Sequence, residues 1–236
     1  MPDQDPETID ALIETLVQSY IDRYGLVEVF RDQLTLALRS SDPLQPLVHS
    51  FKSRLKDPDH LRDKLHRKAA RCIEDDVEFD FTPETLLTQI NDLAGVRILH
   101  LYTRQIRDID VHLRAICEEQ QYQLLEGPFA RTWDDESREF FAECNIEVQP
   151  SPTMYTSVHY IIGSASRTTV TCEVQVRTLM EEVWGEVDHA LNYPHPTEVL
   201  ALREELKVLA RVTSSATRLV DAIFATHEDA EAWEGL

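Results

Sequence analysis

The chain has 236 residues, 42% of them hydrophobic and 28% charged, enough for one sizeable core. Its 43 acids against 23 bases leave a net charge of −20, which disfavours non-specific attachment to nucleic acid or to an anionic membrane. No apolar run reaches membrane-spanning length, and the opening MPDQDPETID carries no secretory basic region. Four cysteines (Cys72, Cys117, Cys144 and Cys172) lie far apart with no CxxC pair, the pattern of reduced thiols in a cytoplasmic protein.

Ile9, Leu12, Ile13, Leu16 and Tyr20 recur at helical spacing, followed by a weaker set through Val27, Phe30, Leu34 and Leu38. SSDPLQP at 40–46 breaks this helical run, and LVHSFKSRLK at 47–56 reads as a strand. Asp57 then stands as N-cap before Pro58, opening a helix with a Leu61, Leu65, Ala69 and Cys72 stripe. Thr82 before Pro83 predicts a short helix, LAGVRILHLY at 93–102 a buried strand, and 104–120 a further helix. The stretch from there to about Asn145 reads as loose.

YTSVHYIIG at 155–163 and TVTCEVQVRT at 169–178 predict a strand hairpin turning through 164–167. The second strand has an apolar face of Val170, Cys172, Val174 and Val176, and an opposite face of Thr171, Glu173, Gln175 and Arg177. Helices follow at 180–191, with Met180, Trp184, Val187 and Leu191 as a core stripe, and from Thr197. In the last helix Leu202, Leu206, Leu209, Ala216, Val220 and Ile223 are expected to face inward. Alternating strands and helices, then a strand pair, imply an α/β (α+β) chain with a mixed sheet flanked by helices. The expected division is an N-terminal helical segment at 1–45, a main domain at 46–195, and a C-terminal helix at 196–236 packing on it.

Positive charge is concentrated. Eight of the 23 bases lie between Ser50 and Arg71 with only three acids, a local +5 in an acidic chain. Lys64, Lys68 and Arg71 share the helix face opposite its apolar stripe. A solvated face is the ordinary meaning of such a run, but the contrast with the background points to a polyanion site, most simply a nucleotide triphosphate. No GxxxxGK[ST] occurs, so phosphates would be gripped by side chains. Asp92 precedes a buried strand, where a turn residue is common. Glu173 inside a valine-rich strand needs water, a cation or a hydrogen-bond partner. Gln175 and Arg177 on its face could supply one.

In chain order SRLK, DLAGVRI, YTSVHY, EVQVRT and WGEVDHALNY resemble the synthetase domain of the RelA/SpoT family, the alarmone synthetases, over residues 50–193. The resemblance implies a nucleotidyltransferase-like fold and transfer of the β,γ-pyrophosphate of ATP to the 3′-hydroxyl of GDP or GTP, making (p)ppGpp and releasing AMP. It implies Asp92 and Glu173 as the catalytic and Mg²⁺-binding pair. Arg54 and Arg97 would flank the adenine, and Lys56, Lys64 and Lys68 would hold the ATP phosphates. Tyr155, Ser157, His159, Gln175 and Arg177 would form the acceptor side, with Tyr155 stacking on the acceptor base. Trp184 and His189 match the closing helix motif but read as structural.

Several positions depart from the family pattern, those around Tyr155 on the acceptor side. Met154 replaces the usual Gly, Thr156 the usual Arg, and Ser151 and Thr153 the usual Lys and Asn. His60 stands for a Ser, and Asp188 for a Glu. Some toxin-like relatives have a YTSxHY form of this segment and pyrophosphorylate the tRNA 3′ end or make adenosine alarmones, which is the alternative reading. The acidity outside residues 50–71 opposes tRNA. A non-catalytic nucleotide sensor is the second alternative, and retention of both acids weighs against it. Fewer than fifty residues precede the basic strand and no His-Asp dipeptide occurs, so a synthetase-only form is expected. Its partners would be nucleotides without a membrane; tRNA under the alternative, an antitoxin-like protein and a homo-oligomer stay open.

Overall fold

The computed structural model describes residues 6–151, 153–192 and 196–234. Two amphipathic helices, α1 (Pro6–Asp22) and α2 (Tyr24–Arg39), open the chain, and their expected apolar residues are buried, Leu12 only partly. They are not a separate layer. Ile13, Leu16, Leu34 and Leu38 belong to one hydrophobic cluster with Leu61, Leu65, Val96 and Val174. The Tyr20 hydroxyl donates to the Lys56 carbonyl at 2.7 Å, tying α1 to the end of strand β1 (Ser50–Leu55).

Helix α3 (Pro58–Glu74) begins where the sequence places it. The Asp57 carboxylate accepts from the backbone N–H groups of Asp59 and His60, with Pro58 at the first helical position. The helix expected at Pro83 begins later, as the single turn α4 (Leu86–Gln89), with the Thr82 carbonyl receiving the Leu86 N–H. Strand β2 (Ala94–His100) and helix α5 (Ile106–Glu119) follow as expected.

The stretch read as loose is ordered. It holds β3 (Gln123–Thr132) and α6 (Asp135–Glu143), and β4 (Glu147–Pro150) follows just after it. Strand β3 escapes a pattern reading because its register with β5 (Ser157–Gly163) shifts twice, between Leu124 and Phe129, so alternation is lost. Gly127 permits the irregularity. It sits at φ +90°, and a Cβ there would lie 2.4 Å from the His159 carbonyl oxygen.

With β6 (Thr171–Thr178) the strands form one six-stranded sheet in the order β1-β2-β6-β5-β3-β4. Pairs β2/β6 and β3/β4 are parallel, and β1/β2, β5/β6 and β3/β5 antiparallel. The expected hairpin is the β5–β6 pair. One sheet face, with Val96, Ile98, Val158, Tyr160, Val174 and Val176, packs into the core cluster. The opposite face, read across by register, carries Lys52 and Arg54, then Gly95 and Arg97, then Glu173 and Gln175, then His159, then Phe129.

Helices α7 (Leu179–Asn192) and α8 (Leu200–Glu234) pack mainly on each other. Trp184 is buried and its Nε1 donates to the Leu206 carbonyl at 3.2 Å, but Val187 and Leu191 are exposed, so α7 has no continuous core stripe. In α8 Leu206 faces inward, whereas Ile223 is 57% exposed. The buried side of α8 is instead small and polar, with Ala210, Thr213, Ser214 and Thr217. These residues break the apolar periodicity on which the expected inward face was drawn. Among the described residues no helix is long and apolar enough to cross a membrane.

Tyr20→Phe leaves the Lys56 carbonyl without its buried donor and should lower stability by about 1–3 kcal/mol in urea unfolding. An unchanged unfolding midpoint would show that α1 is not anchored to β1 by this bond.

Candidate active site

The charged face of the sheet opens into a cavity of about 580 Å³ lined by Asp92, Glu173, Arg54, Lys64, Lys68 and Tyr155, among others. The parallel register brings the two acids there. Gly95 on β2 is level with Glu173 on β6, so Asp92, just before β2, lies at the same sheet end as Glu173. The Asp92 charge is near enough to oppose ionisation of Glu173.

Each carboxylate is held differently. Asp92 accepts from Lys56 Nζ at 2.9 Å and from Lys64 Nζ at 2.7 Å, one lysine to each oxygen. Burial alone would raise its pKa, but the two ammonium groups outweigh that and bring it to about 2. Lys56, desolvated in turn, is lowered. Lys56 stands behind Asp92 and outside the cavity lining, whereas Lys64 lies in it.

Glu173 also suffers burial, yet it is held below the usual carboxylate range by hydrogen bonds. His159 Nδ1 lies 2.9 Å from Oε1, and Gln175 Nε2 donates to Oε2 at 2.9 Å. The Tyr155 hydroxyl donates to Gln175 Oε1 at 3.1 Å, so tyrosine, amide and carboxylate form one chain. On the far side of this chain the His159 ring stacks on Phe129 at 5.3 Å, and its buried Nε2 has no hydrogen-bond partner.

Arg177 is placed otherwise than its strand neighbours suggest. Its side chain is 2% exposed and pairs with Glu182 in the first turn of α7, not with Glu173. The guanidinium lies over the Tyr155 ring at 5.3 Å. Gly185 allows this, because a Cβ there would come 2.7 Å from the Arg177 guanidinium. Glu182 also meets Lys52 Nζ at 2.7 Å and Arg97 at 3.3 Å, and Arg97 reaches Glu186 at 2.6 Å. Against its burial, the hydrogen bond from Lys52 and the charges of Arg177 and Arg97 hold Glu182 down to about 2.

Of the residues singled out in the sequence, the cavity gathers Asp92, Glu173, Arg54, Lys64, Lys68, Arg97, Tyr155, His159, Gln175 and Arg177. Ser157 is not among them. It is buried, and its hydroxyl donates to the Val176 carbonyl at 3.3 Å. Among the described residues no carboxylate pairs with Arg54, Lys68 or Arg131, so these cations remain to meet an anion. Lys68 lies over Phe81 and Arg131 over Phe129.

Phe129, Arg131 and Glu182 were missed by the sequence reading. The first two belong to the irregular strand β3, and Glu182 shows only as one more acid in a helix. His189, read as structural, lines the cavity with Asp188. Tyr193, which ends the helix motif, lies outside the described residues.

A family model described as a region found in RelA/SpoT proteins matches residues 53–198. GTP pyrophosphokinase YwaC of Bacillus subtilis (strain 168) is 24% identical over 174 residues, 71% of this chain and 69% of that protein. The fold is similar to that of small alarmone synthetase 1 from Bacillus subtilis bound to its product pppGpp. The TM-score is 0.59 at 18% identity, over 88% of this chain and 95% of that one. It is also similar to a GTP pyrophosphokinase family protein from Streptococcus pneumoniae, with a TM-score of 0.56 at 19% identity, over 97% and 96% of the two chains.

Glu182→Ala leaves Arg177 buried without its partner and should cost about 3–5 kcal/mol in urea unfolding. Asp92 and Glu182 both titrate below their ordinary values of 3.8 and 4.5. The stability they contribute is therefore complete above those values and drains as pH falls toward about 2. The urea midpoint of the protein should fall across that window, and Glu182→Gln should flatten the decline; a variant curve parallel to the parent would contradict the pairing.

Proposed function

The chain belongs to the RelA/SpoT family, and from that premise we propose that it transfers the β,γ-pyrophosphate of ATP to the 3′-hydroxyl of GDP or GTP, releasing AMP. The observation that carries this reading is the meeting of Asp92 and Glu173 in one cavity beside Arg54, Lys68 and Arg131, which pair with no carboxylate among the described residues. Such transfer demands positioning of a polyanion and dispersal of charge more than covalent help from the protein. That the curated relative is named a GTP pyrophosphokinase, and that a similar fold holds pppGpp, supports a guanosine acceptor.

The geometry supports the following roles. Arg54, Lys68 and Arg131 face the cavity to meet phosphates. Lys64, now on Asp92, is within reach of the same anion. Tyr155, braced by Arg177 and by its bond to Gln175, presents a ring to the acceptor base. Glu173 is kept ionised by His159 and Gln175 and can accept the proton of the attacking hydroxyl.

The donor set suits Mg²⁺ held largely by substrate. Among the described residues there is no cluster of three or more potential ligands, so a protein-only cage does not fit. Two neighbouring carboxylates with phosphate oxygens do fit a hard cation. Asp92 and Glu173 would hold it, and it would supply Lewis-acid polarisation of the transferred group. Lys56 and Lys64 occupy the Asp92 oxygens meanwhile, preventing an uncompensated buried charge.

Incubation with labelled ATP and Mg²⁺ and each of GDP, GTP, AMP, ADP and tRNA should label the guanosine acceptors. Label on tRNA or on AMP and ADP alone would replace the acceptor, and nucleotide binding with no transfer would make the chain a sensor. Glu173→Gln and Asp92→Asn should each reduce turnover by about 10³-fold or more while remaining folded by circular dichroism. Near-parental turnover in either would remove that acid from the reaction. Tyr155→Ala should raise the acceptor KM by about tenfold or more and leave that of ATP nearly unchanged. An equal rise in both would remove Tyr155 from the acceptor side.

A further inference from the structure

A second cavity, of about 200 Å³, lies behind the first, between α6, α8 and the start of α7. Its walls are largely apolar, with Ile106, Phe140, Phe141, Val158 and Val176. Most polar side chains around it already have partners. The Ser214 hydroxyl donates to Asp134 at 2.7 Å, and the Thr217 hydroxyl to the Thr213 carbonyl at 3.0 Å. Both Asp221 oxygens are taken by Thr103, through its backbone N–H and its hydroxyl.

Among the described residues, two buried carboxylate or imidazole groups on its wall can accept a further hydrogen bond. Glu181 is 5% exposed, and its carboxylate receives one hydrogen bond, on Oε2 from the Thr156 N–H at 3.3 Å. Its pKa is pushed up to about 7 by burial. Arg177, which lines this cavity too, has its charge met by Glu182, while its buried Nε makes no hydrogen bond. The other acceptor is His100, buried, with Nδ1 donating to the Tyr102 carbonyl at 3.0 Å, so that Nε2 carries a lone pair. Burial holds this imidazole neutral, at about 4. Apolar aromatic walls with two unspent acceptors suit a flat ligand that brings donors.

We propose that this back cavity is a second ligand site, for a one- or two-ring amidine or amino-heterocycle whose N–H edge faces the Glu181 carboxyl. Occupancy there is transmitted to the front cavity by two short routes. Glu181 holds the backbone of Thr156, the residue next to Tyr155, and Arg177 lines both cavities beneath the Tyr155 ring. This transmission rests on the pyrophosphotransfer reading, whereas binding at the back cavity does not.

Benzamidine serves as the probe, titrated into the ¹⁵N-labelled full chain through the millimolar range and followed by two-dimensional NMR. Saturable shifts are expected at the Thr156, Thr178 and Thr217 amides, with affinity about tenfold or more weaker in Glu181→Gln. Ser137→Leu, which fills the cavity from α6 and leaves Glu181 in place, should abolish them. Benzyl alcohol, similar in size but without the N–H pair, should bind about tenfold or more weakly than benzamidine. Absence of saturation, or shifts that persist in Ser137→Leu, overturns the site. Benzamidine should also change the acceptor KM by about threefold or more at constant ATP KM, and binding without that change overturns the transmission. A chain that transfers to no acceptor yet shows these shifts overturns the front-cavity reading and leaves the back site standing.

Discussion

The parallel pairing of β2 with β6 is the constraint on which the site depends. It sets Gly95 level with Glu173 and Arg97 level with Gln175. Asp92 and Glu173, remote in the chain, thereby share one end of one sheet. Because side chains alternate, a slip of one residue would turn Glu173 into the core and a valine out toward the cavity. Register is therefore fixed by the same valines that bury the opposite face: Val174 and Val176 cannot be exposed without losing their place in the core.

Charge on the exposed face is arranged as compensated clusters with a remainder. Asp92 takes two lysines, and Glu182 gathers Lys52, Arg97 and Arg177. Buried ions left single would be costly, so these clusters let several cations stand on one side of a strongly acidic protein without leaving buried charges unpaired. What remains is Arg54, Lys68 and Arg131, turned to the cavity. A polyanion entering there meets cations that give up no existing carboxylate partner, while Lys64 can exchange its carboxylate for a phosphate. The acidic exterior and the basic interior of the cleft together favour a small, multiply charged ligand over an extended one.

Arg177 touches several parts of the structure at once. It neutralises Glu182 on α7, lies against the Tyr155 ring, and lines both cavities. Gly185 is the sequence feature that makes room for it. Helix α7 is thus a charged clamp on the sheet at its first turn and is tied to α8 by the buried Trp184, whose indole N–H donates to the Leu206 carbonyl.

The sequence by itself determined the two helical stripes of the N-terminus, the Asp57 cap, the buried strand around Val96 and the β5–β6 hairpin. In these segments the period of apolar residues is intact, and period is what a one-dimensional reading detects. Glu173 was legible for the same reason, as a carboxylate where the pattern left no reason for one. Strand β3 was not legible, since its bulges erase alternation, and Phe129 and Arg131 were lost with it. Only the tertiary structure decided which acid meets which base. Arg177 goes to Glu182 across to α7 and not to Glu173 on its own strand face, and Lys56 turns to Asp92. Pairings of this kind depend on how helices settle over a sheet, and no local spacing encodes that. The buried polar side of α8 is likewise a product of packing: Thr213, Ser214 and Thr217 look like surface residues until α6 and the loop before it close over them.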